Sequence, residues 1–238
     1  MLTLLFAAVS LLYATVGQAG GTAFLAVMAF ASFPSNERRP TALLLNIIAA
    51  TYSTWLFNRG KFIDWAKLRP LLLASLPTAL VGGFIVLNER VYNVLTGVVL
   101  LTAAVILAFR RSRNSGPDQS TPLWGAISIG SVVGFVSGLT GVGGGVFLAP
   151  ILIVLHWASP KQSAALSAPF ILANSVTGLA GALYSGQMPS GQTWLYAIGT
   201  LAGAMVGTLL GLRWLSQAAT CYVLAAILGA AGIQLLLF

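Results

Sequence analysis

A cluster of glycines inside an apolar stretch constrains the fold more than any other feature of the sequence. Three adjacent glycines interrupt a helix, because each costs about 1 kcal/mol relative to alanine. A helix restarting at Val146 would point its positive end back toward the glycines. Such a break inside an apolar segment is tolerated only when it is buried in protein or lines a wet cavity. Five glycines fall within eight positions: Gly138, Gly141, Gly143, Gly144 and Gly145.

The composition predicts an integral membrane protein made of helices. The 238 residues are 58% hydrophobic and only 7% charged, whereas a soluble domain carries roughly 25% charged residues. Long apolar segments separated by short polar turns favour helices, since a barrel would alternate over about ten residues. The net charge of +8 does not indicate nucleic acid, because the basic residues fall in short loops between spans. The expected surroundings are therefore a lipid bilayer.

Two of the predicted segments are too short to cross a membrane. Segments 22–33 and 146–157 contain twelve residues each, and a span needs about 20. Each follows a glycine break, so the pieces could stack as one interrupted helix or fold back as a re-entrant hairpin. The apolar segments are expected at 2–16, 22–33, 40–57, 68–87, 91–109, 123–139, 146–157, 163–184, 192–212 and 217–237.

The distribution of basic residues favours the hairpin. With the arginine-rich linker 110–121 in the cytoplasm, a hairpin at 123–157 places nine basic residues inside and three outside, namely Arg38, Arg39 and Arg90 in external loops. A spanning arrangement gives seven against five, which follows the positive-inside rule less well. The predicted fold is an all-α polytopic membrane protein with two inverted repeats, 1–109 and 122–238, joined by that linker. Each repeat contains a broken, re-entrant hairpin and three transmembrane helices.

The two halves of the chain resemble each other. Residues 16–22 align with residues 140–146 at an offset of 124, and Asn46 aligns with Asn174 at an offset of 128. A row of small residues in the first half matches a row of glycines in the second at an offset of 125. Small residues at this spacing let helix backbones pack closely, either between the repeats or between the protomers of a homodimer. The row in the second half is Gly199, Gly203, Gly207 and Gly211.

Paired, interrupted segments at matching positions of two halves indicate the central binding site of a transporter. The alternative is that the glycines only allow close packing, and that the two asparagines form helix–helix hydrogen bonds. Two positive helix ends near the midplane would favour a small anionic substrate. The predicted substrate-binding residues are Gln18, Gly20, Gly21, Thr22, Asn46, Thr140, Gly141, Gly143, Gly144, Gly145, Asn174 and Ser175.

Charged groups are expected to be absent from this site. All four acids fall in predicted loops or the linker, and no lysine or arginine is expected inside the membrane. The anion would then be held by helix dipoles, backbone N–H groups and neutral side chains, and driven by the membrane potential or by its own titration. No cofactor, metal cluster or nucleophile–base pair is expected, so the sequence does not indicate an enzyme.

The motif Gly138-x-x-Gly141-x-Gly143-Gly144-Gly145-x-x-x-x-Pro150-x-Leu152 resembles that of the sulfite exporter TauE/SafE family. The resemblance extends to the duplicated layout, the basic linker and the size of the chain. It implies a permease that moves sulfite, sulfonates or related organic anions across the bacterial inner membrane, often outward. The first repeat departs from the motif, because Ala19 stands at the position of Gly143 and Ala26 at that of Pro150.

Two other functions are compatible with the sequence. One is a membrane scaffold or assembly factor that transports nothing and uses its glycines only to pack helices. The other is a permease for a small carboxylate or another solute without sulfur.

Overall fold

The protein is a bundle of α-helices. A computed structural model describes residues 2–108, 121–213 and separate positions between 222 and 236. In these residues every regular element is a helix, so the all-α prediction is confirmed. The predicted linker and last segment lie mostly outside them. The helices are α1 (Leu2–Ala14), α2 (Gly21–Phe30), α3 (Ser35–Arg59), α4 (Trp65–Phe84), α5 (Glu89–Ala108), α6 (Leu123–Thr140), α7 (Gly145–Val154), α8 (Pro160–Tyr184) and α9 (Thr193–Arg213).

Helix length and surface composition agree with a multi-pass membrane protein. In the described part of the chain, four helical stretches are long and apolar enough to cross a membrane: Asn36–Arg59, Leu123–Thr140, Lys161–Tyr184 and Thr193–Gly211. Large apolar side chains point outward from the bundle, among them Leu73, which is 74% exposed. Helices α2 and α7 have ten residues each, about 15 Å of helix, and are too short to span, as predicted.

Helices α4 and α8 begin at residues whose side chains cap them, whereas α2 and α7 do not. Asp64 and Ser159 each place a side-chain oxygen on backbone N–H groups of the first turn, of α4 and α8 respectively. Helices α2 and α7 instead begin at Gly20 and Gly144, which have no side chain to offer. Because a capping side chain normally satisfies one of the first N–H groups, the starts of α2 and α7 keep their donors open.

Rows of glycine pack the first half of the chain against the second. Helix α9 runs parallel to α1, and α6 runs parallel to α4. At each glycine of the two rows, an added Cβ would lie less than 3.0 Å from the facing backbone. The predicted packing row therefore joins the two repeats, and the homodimer stays a prediction. The facing pairs are Gly199 with Thr3, Gly203 with Ala7, Gly207 with Leu11, Gly211 with Thr15, Gly130 with Leu71, Gly134 with Ser75 and Gly138 with Ala79.

Both broken segments fold back as hairpins. Trp157, which follows α7, covers Gly125 at the start of α6 so closely that a Cβ there would lie under 3.0 Å from the indole. In the first half, Phe6 near the start of α1 and Phe33 after the end of α2 both stack on Tyr196. Each short helix therefore returns to the end of the bundle where its partner began. A hairpin is what the distribution of basic residues favours, and its re-entry into a membrane stays a prediction.

Helices α3 and α8 run antiparallel through the centre of the bundle. At one end, Nζ of Lys161 lies 4.6 Å from the ring centre of Phe62; at the other, Nε of Arg39 donates to Oε1 of Gln187. Helix α4 starts at the end of the bundle where α3 ends, and α9 starts at the opposite end, where α8 ends. Because α6 is parallel to α4 and α1 is parallel to α9, helices α6 and α1 also start at opposite ends of the bundle. These contacts support inverted repeats, and the orientation of the halves in a membrane stays a prediction.

Candidate functional site

The two breaks have the same backbone conformation at matched glycines. Gly17 and Gly141 have φ angles of 74° and 82°, and Gly20 and Gly144 have φ angles of 108° and 77°. Each pair is separated by 124 residues, the offset found in the sequence. Glycine adopts this left-handed conformation without the steric cost that a Cβ imposes. The backbone therefore carries the predicted duplication.

The breaks differ at one position. Gly143 has a φ angle of 86°, whereas its counterpart Ala19 does not have a positive φ. The second break thus contains one more left-handed residue than the first. The departure of the first repeat from the glycine motif is therefore visible in the backbone at this one position.

The two breaks meet inside the protein. The side chain of Gln18 donates through Nε2 to the carbonyl of Gly145, at 3.0 Å. Gly21 lies against the carbonyl of Val142 and the side-chain amide of Asn46. These contacts are related by the repeat, because residues 18 and 21 correspond to residues 142 and 145. All five residues are buried, so the breaks form one site with no open access to solvent.

The site contains a group of buried backbone N–H groups without acceptors. In the described structure, none of the amides at residues 143–146 donates a hydrogen bond, and neither do those at residues 19–23. All nine residues are buried. Buried N–H groups without a partner are rare in folded proteins. Two sets of them at facing helix N-termini make a site that is prepared for an acceptor.

Four carbonyl groups at and just after the end of α6 have donors, in contrast to the amides. These carbonyls point toward the same break as the amides. Without donors, their partial negative charge would weaken the attraction of the partly positive N–H groups for an anion. The donors leave the second break with unpaired N–H groups and with these four carbonyls occupied, an environment that suits an anion. The pairs are Gly141 N with Ser137 O at 2.8 Å, Arg39 Nη1 with Leu139 O at 3.3 Å, Tyr92 Oη with Thr140 O at 2.5 Å and Asn46 Nδ2 with Gly141 O at 3.4 Å.

Neutral side chains around the breaks also have polar atoms without partners. Gln18 is 5% exposed and Asn46, Ser137 and Ser175 are fully buried, yet one oxygen of each lacks a hydrogen bond. The two hydroxyls can donate to an anion, and the two amide oxygens can accept from a proton carried by a guest. Ser137 is not among the predicted binding residues, although it directly precedes the glycine motif in the sequence; it lies beside Gly144.

The structure brings together most of the predicted binding residues. Seven of them surround the contact between the breaks: Gln18, Gly21, Asn46, Gly141, Gly143, Gly145 and Ser175. Gly20 and Gly144 are the N-caps of the two short helices, backed by the rings of Phe24 and Phe170.

Two predicted hydroxyls are engaged elsewhere. Thr22 donates to Tyr13 Oη at 2.8 Å, and Thr140 donates to the carbonyl of Val136 in its own helix at 2.7 Å. Neither hydroxyl is free to meet a guest in this conformation. The role of all these residues in binding stays a prediction.

The sequence pairing of Asn46 with Asn174 is wrong in structural terms. A Cβ at Gly21 would meet the amide of Asn46, and a Cβ at the equivalent Gly145 would meet the side chain of Ile171. Ile171 is therefore the counterpart of Asn46, at an offset of 125. Asn174 lies about one turn further along and donates through Nδ2 to the carbonyl of Phe170, 2.8 Å away in its own helix. The site is thus asymmetric, with an amide on one side and an aliphatic side chain on the other.

A buried arginine lies beside the second break, contrary to the expectation that no basic residue would be buried there. Arg39 was placed in an external loop, but α3 begins at Ser35 and winds it into the bundle, where it is 2% exposed. Its side chain covers Gly141. Its other acceptors, besides Leu139 O, are Gln187 Oε1 at 2.9 Å, Ile85 O at 2.8 Å and Gly83 O at 2.8 Å.

Comparison with known proteins gives the same picture across the whole chain. The sequence model of the family described as sulfite exporter TauE/SafE matches residues 2–235. The probable membrane transporter protein y4hK of Sinorhizobium fredii is 36% identical over 240 residues, 99% of this chain and 97% of that protein. The probable membrane transporter protein YunE of Bacillus subtilis is 27% identical over 191 residues, 72% of this chain and 68% of that protein. No solved structure matches the chain.

Proposed function

The chain belongs to the sulfite exporter TauE/SafE family, and from this premise we propose that this membrane transporter is a secondary transporter that exports a small anion. The anion is sulfite, an organosulfonate or a related sulfur-containing anion, and the membrane is the bacterial inner membrane. The protein is a permease and not an enzyme.

The nine buried N–H groups at the paired breaks are the observation that carries this proposal. A sulfite or sulfonate group offers three oxygen acceptors to donors that come from two directions. Hydrogen bonds to a charged group contribute about 1.5–3 kcal/mol each. Several such bonds are needed to offset the several kcal/mol that removing an anion from water costs. A site with only one or two free donors would not meet that requirement.

The hairpin architecture supports a transport cycle rather than static binding. The residues around the breaks are buried, so a guest enters or leaves only when one end of the bundle opens. Each hairpin packs on a helix of the other half through a glycine row, which gives two similar interfaces that can separate in turn. Alternating movement of two inverted halves around a fixed central site is the usual cycle of secondary transporters.

Thermal unfolding of the purified protein with a panel of anions tests the proposal. The panel contains sulfite, sulfate, thiosulfate, taurine, sulfoacetate and small carboxylates. A ligand at about 100 times its Kd stabilises the folded state by about 2.7 kcal/mol, so a true substrate should raise Tm in a concentration-dependent way. Proteoliposomes should then release that anion with saturable kinetics.

The outcomes separate the candidate functions. A response to sulfur oxyanions or sulfonates supports the proposal. A response to carboxylates alone would assign a carboxylate permease. No Tm response and no flux for any anion would contradict transport by this site and support the scaffold.

A further inference from the structure

We propose that Arg39 is the specificity-determining residue that makes the second break select anions over neutral solutes. This inference rests on the proposed function. It assigns the preference for negative charge to one fixed positive charge in the first half of the chain. That charge acts on a site formed by the glycines of the second half.

The position of Arg39 connects its charge to the second break. The guanidinium donates to the carbonyl of Leu139 in the last turn of α6, and the side chain covers Gly141 at the beginning of the break. The other acceptors are a side-chain amide oxygen and two carbonyls at the end of α4. All four acceptors are neutral, so the charge is solvated by dipoles and its positive potential extends into the break.

The electrostatic effect of Arg39 differs from that of the neighbouring donors. Tyr92 and Asn46 occupy the carbonyls of Thr140 and Gly141, which removes local negative potential but adds no net charge. The C-terminus of α6 carries about half a negative elementary charge, which opposes the amides of residues 143–146. A full positive charge at that terminus reverses the sign of the local potential.

The first break has no arginine at the position that corresponds to Arg39. The carbonyls at the end of α1 are occupied by backbone donors, with Gly17 N on Ala14 O and Gln18 N on Tyr13 O. At the place over Gly17 that corresponds to Arg39 over Gly141, the chain has Ala164. The two breaks therefore share a backbone shape and differ in charge, so the second is the stronger anion site.

Two substitutions remove the charge by different routes. Arg39→Gln deletes it together with most of its hydrogen bonds. Gln187→Glu keeps the guanidinium and places a carboxylate on Nε, where Oε1 of the amide now lies 2.9 Å away. Removing one unit charge about 8 Å from an anion, at an effective dielectric constant of about 20, weakens binding roughly 30-fold. Both variants should therefore raise the apparent KM for sulfite in proteoliposomes by roughly 10- to 50-fold.

A purely structural role for Arg39 predicts a different pattern. The added ion pair in Gln187→Glu would then preserve or raise Tm and leave KM unchanged. Arg39→Lys keeps the charge but not the guanidinium fork, so we expect its KM to stay within about 3-fold of the wild type. Arg59→Gln is the matched control, since Arg59 lies on the same helix at its opposite end and is exposed; it should leave KM unchanged.

The result separates this inference from the proposed function. A wild-type protein without saturable flux of any anion in the panel overturns both. Saturable sulfite flux with an unchanged KM in Gln187→Glu, a variant that does not require loss of the arginine, overturns the role of Arg39 alone. An increase of KM in both charge-removing variants, with recovery in Arg39→Lys, supports it.

Discussion

Ser175→Ala should change stability and anion binding in opposite directions. The Ser175 side chain is fully buried and its Oγ has no hydrogen-bond partner; a Cβ at Gly143 would lie 3.2 Å from that oxygen. An unsatisfied buried hydroxyl costs about 1–3 kcal/mol. Removing it should raise the stability of the empty protein by about 1 kcal/mol, or about 2–4 °C in Tm for a chain of this size.

The same hydroxyl is expected to donate to a bound anion. Loss of a hydrogen bond to a charged group costs about 1.5–3 kcal/mol, which corresponds to a Kd about 10- to 150-fold higher. The measurement is a titration of Tm with sulfite for the wild type and the variant. We expect a higher starting Tm and a much smaller response to the anion.

A matched control lies on the same helix. Ser167 is also fully buried, and its hydroxyl donates to the carbonyl of Ser163 within α8. Ser167→Ala should leave the response to sulfite unchanged. A lower Tm of the empty Ser175→Ala protein, or a sulfite response equal to that of the wild type, would show that the hydroxyl of Ser175 is not a free donor to the anion.

Three further predictions concern the breaks, the packing rows and the driving force. Gly144→Ala should lower Tm, because a residue with a Cβ pays about 1–2 kcal/mol for the left-handed conformation of Gly144. A Cβ at Gly191 would have nothing within 4 Å, so Gly191→Ala should not lower Tm. Equal Tm values for the two variants would contradict the left-handed conformation of Gly144. Gly207→Ala should destabilise the protein by about 1–3 kcal/mol, since its Cβ would press on the Leu11 backbone. A Tm equal to that of the wild type, measured by circular dichroism, would contradict close packing of α1 and α9. Sulfite efflux from liposomes should rise with an inside-negative potential, which contributes about 2.3 kcal/mol per charge per 100 mV; flux independent of voltage would contradict potential-driven export.

Much of the architecture could be predicted because it depends on local sequence. Apolar segments and the glycines that interrupt them give helix positions within a few residues, and α2 and α7 were identified as too short to span. The distribution of basic residues favours the hairpin. The contact between Lys161 and Phe62 places the start of α8 and the loop after α3 at the same end of the bundle. The glycines of α9 predict close packing, because two helix backbones can approach closely only where the Cβ is missing.

The features that sequence could not give depend on which helix faces meet. Arg39 was assigned to a loop because it precedes the apolar run, and nothing local shows that the ends of α4 and α6 supply carbonyls for it. Asn174 was paired with Asn46 by residue type, while packing selects Ile171. Thr22 looked available until the fold placed Tyr13 next to it. Each of these depends on long-range packing rather than on composition or spacing.

Crystallographic anomalous scattering from bound selenite tests the central claim most directly, because selenite has the charge and shape of sulfite and selenium can be located by its own signal. We predict one selenium peak between the two breaks, with the selenite oxygens within hydrogen-bond distance of the amides of residues 143–146 and residues 19–23. Selenite seen only elsewhere in a protein that transports sulfite, with those amides still unpaired, would contradict it.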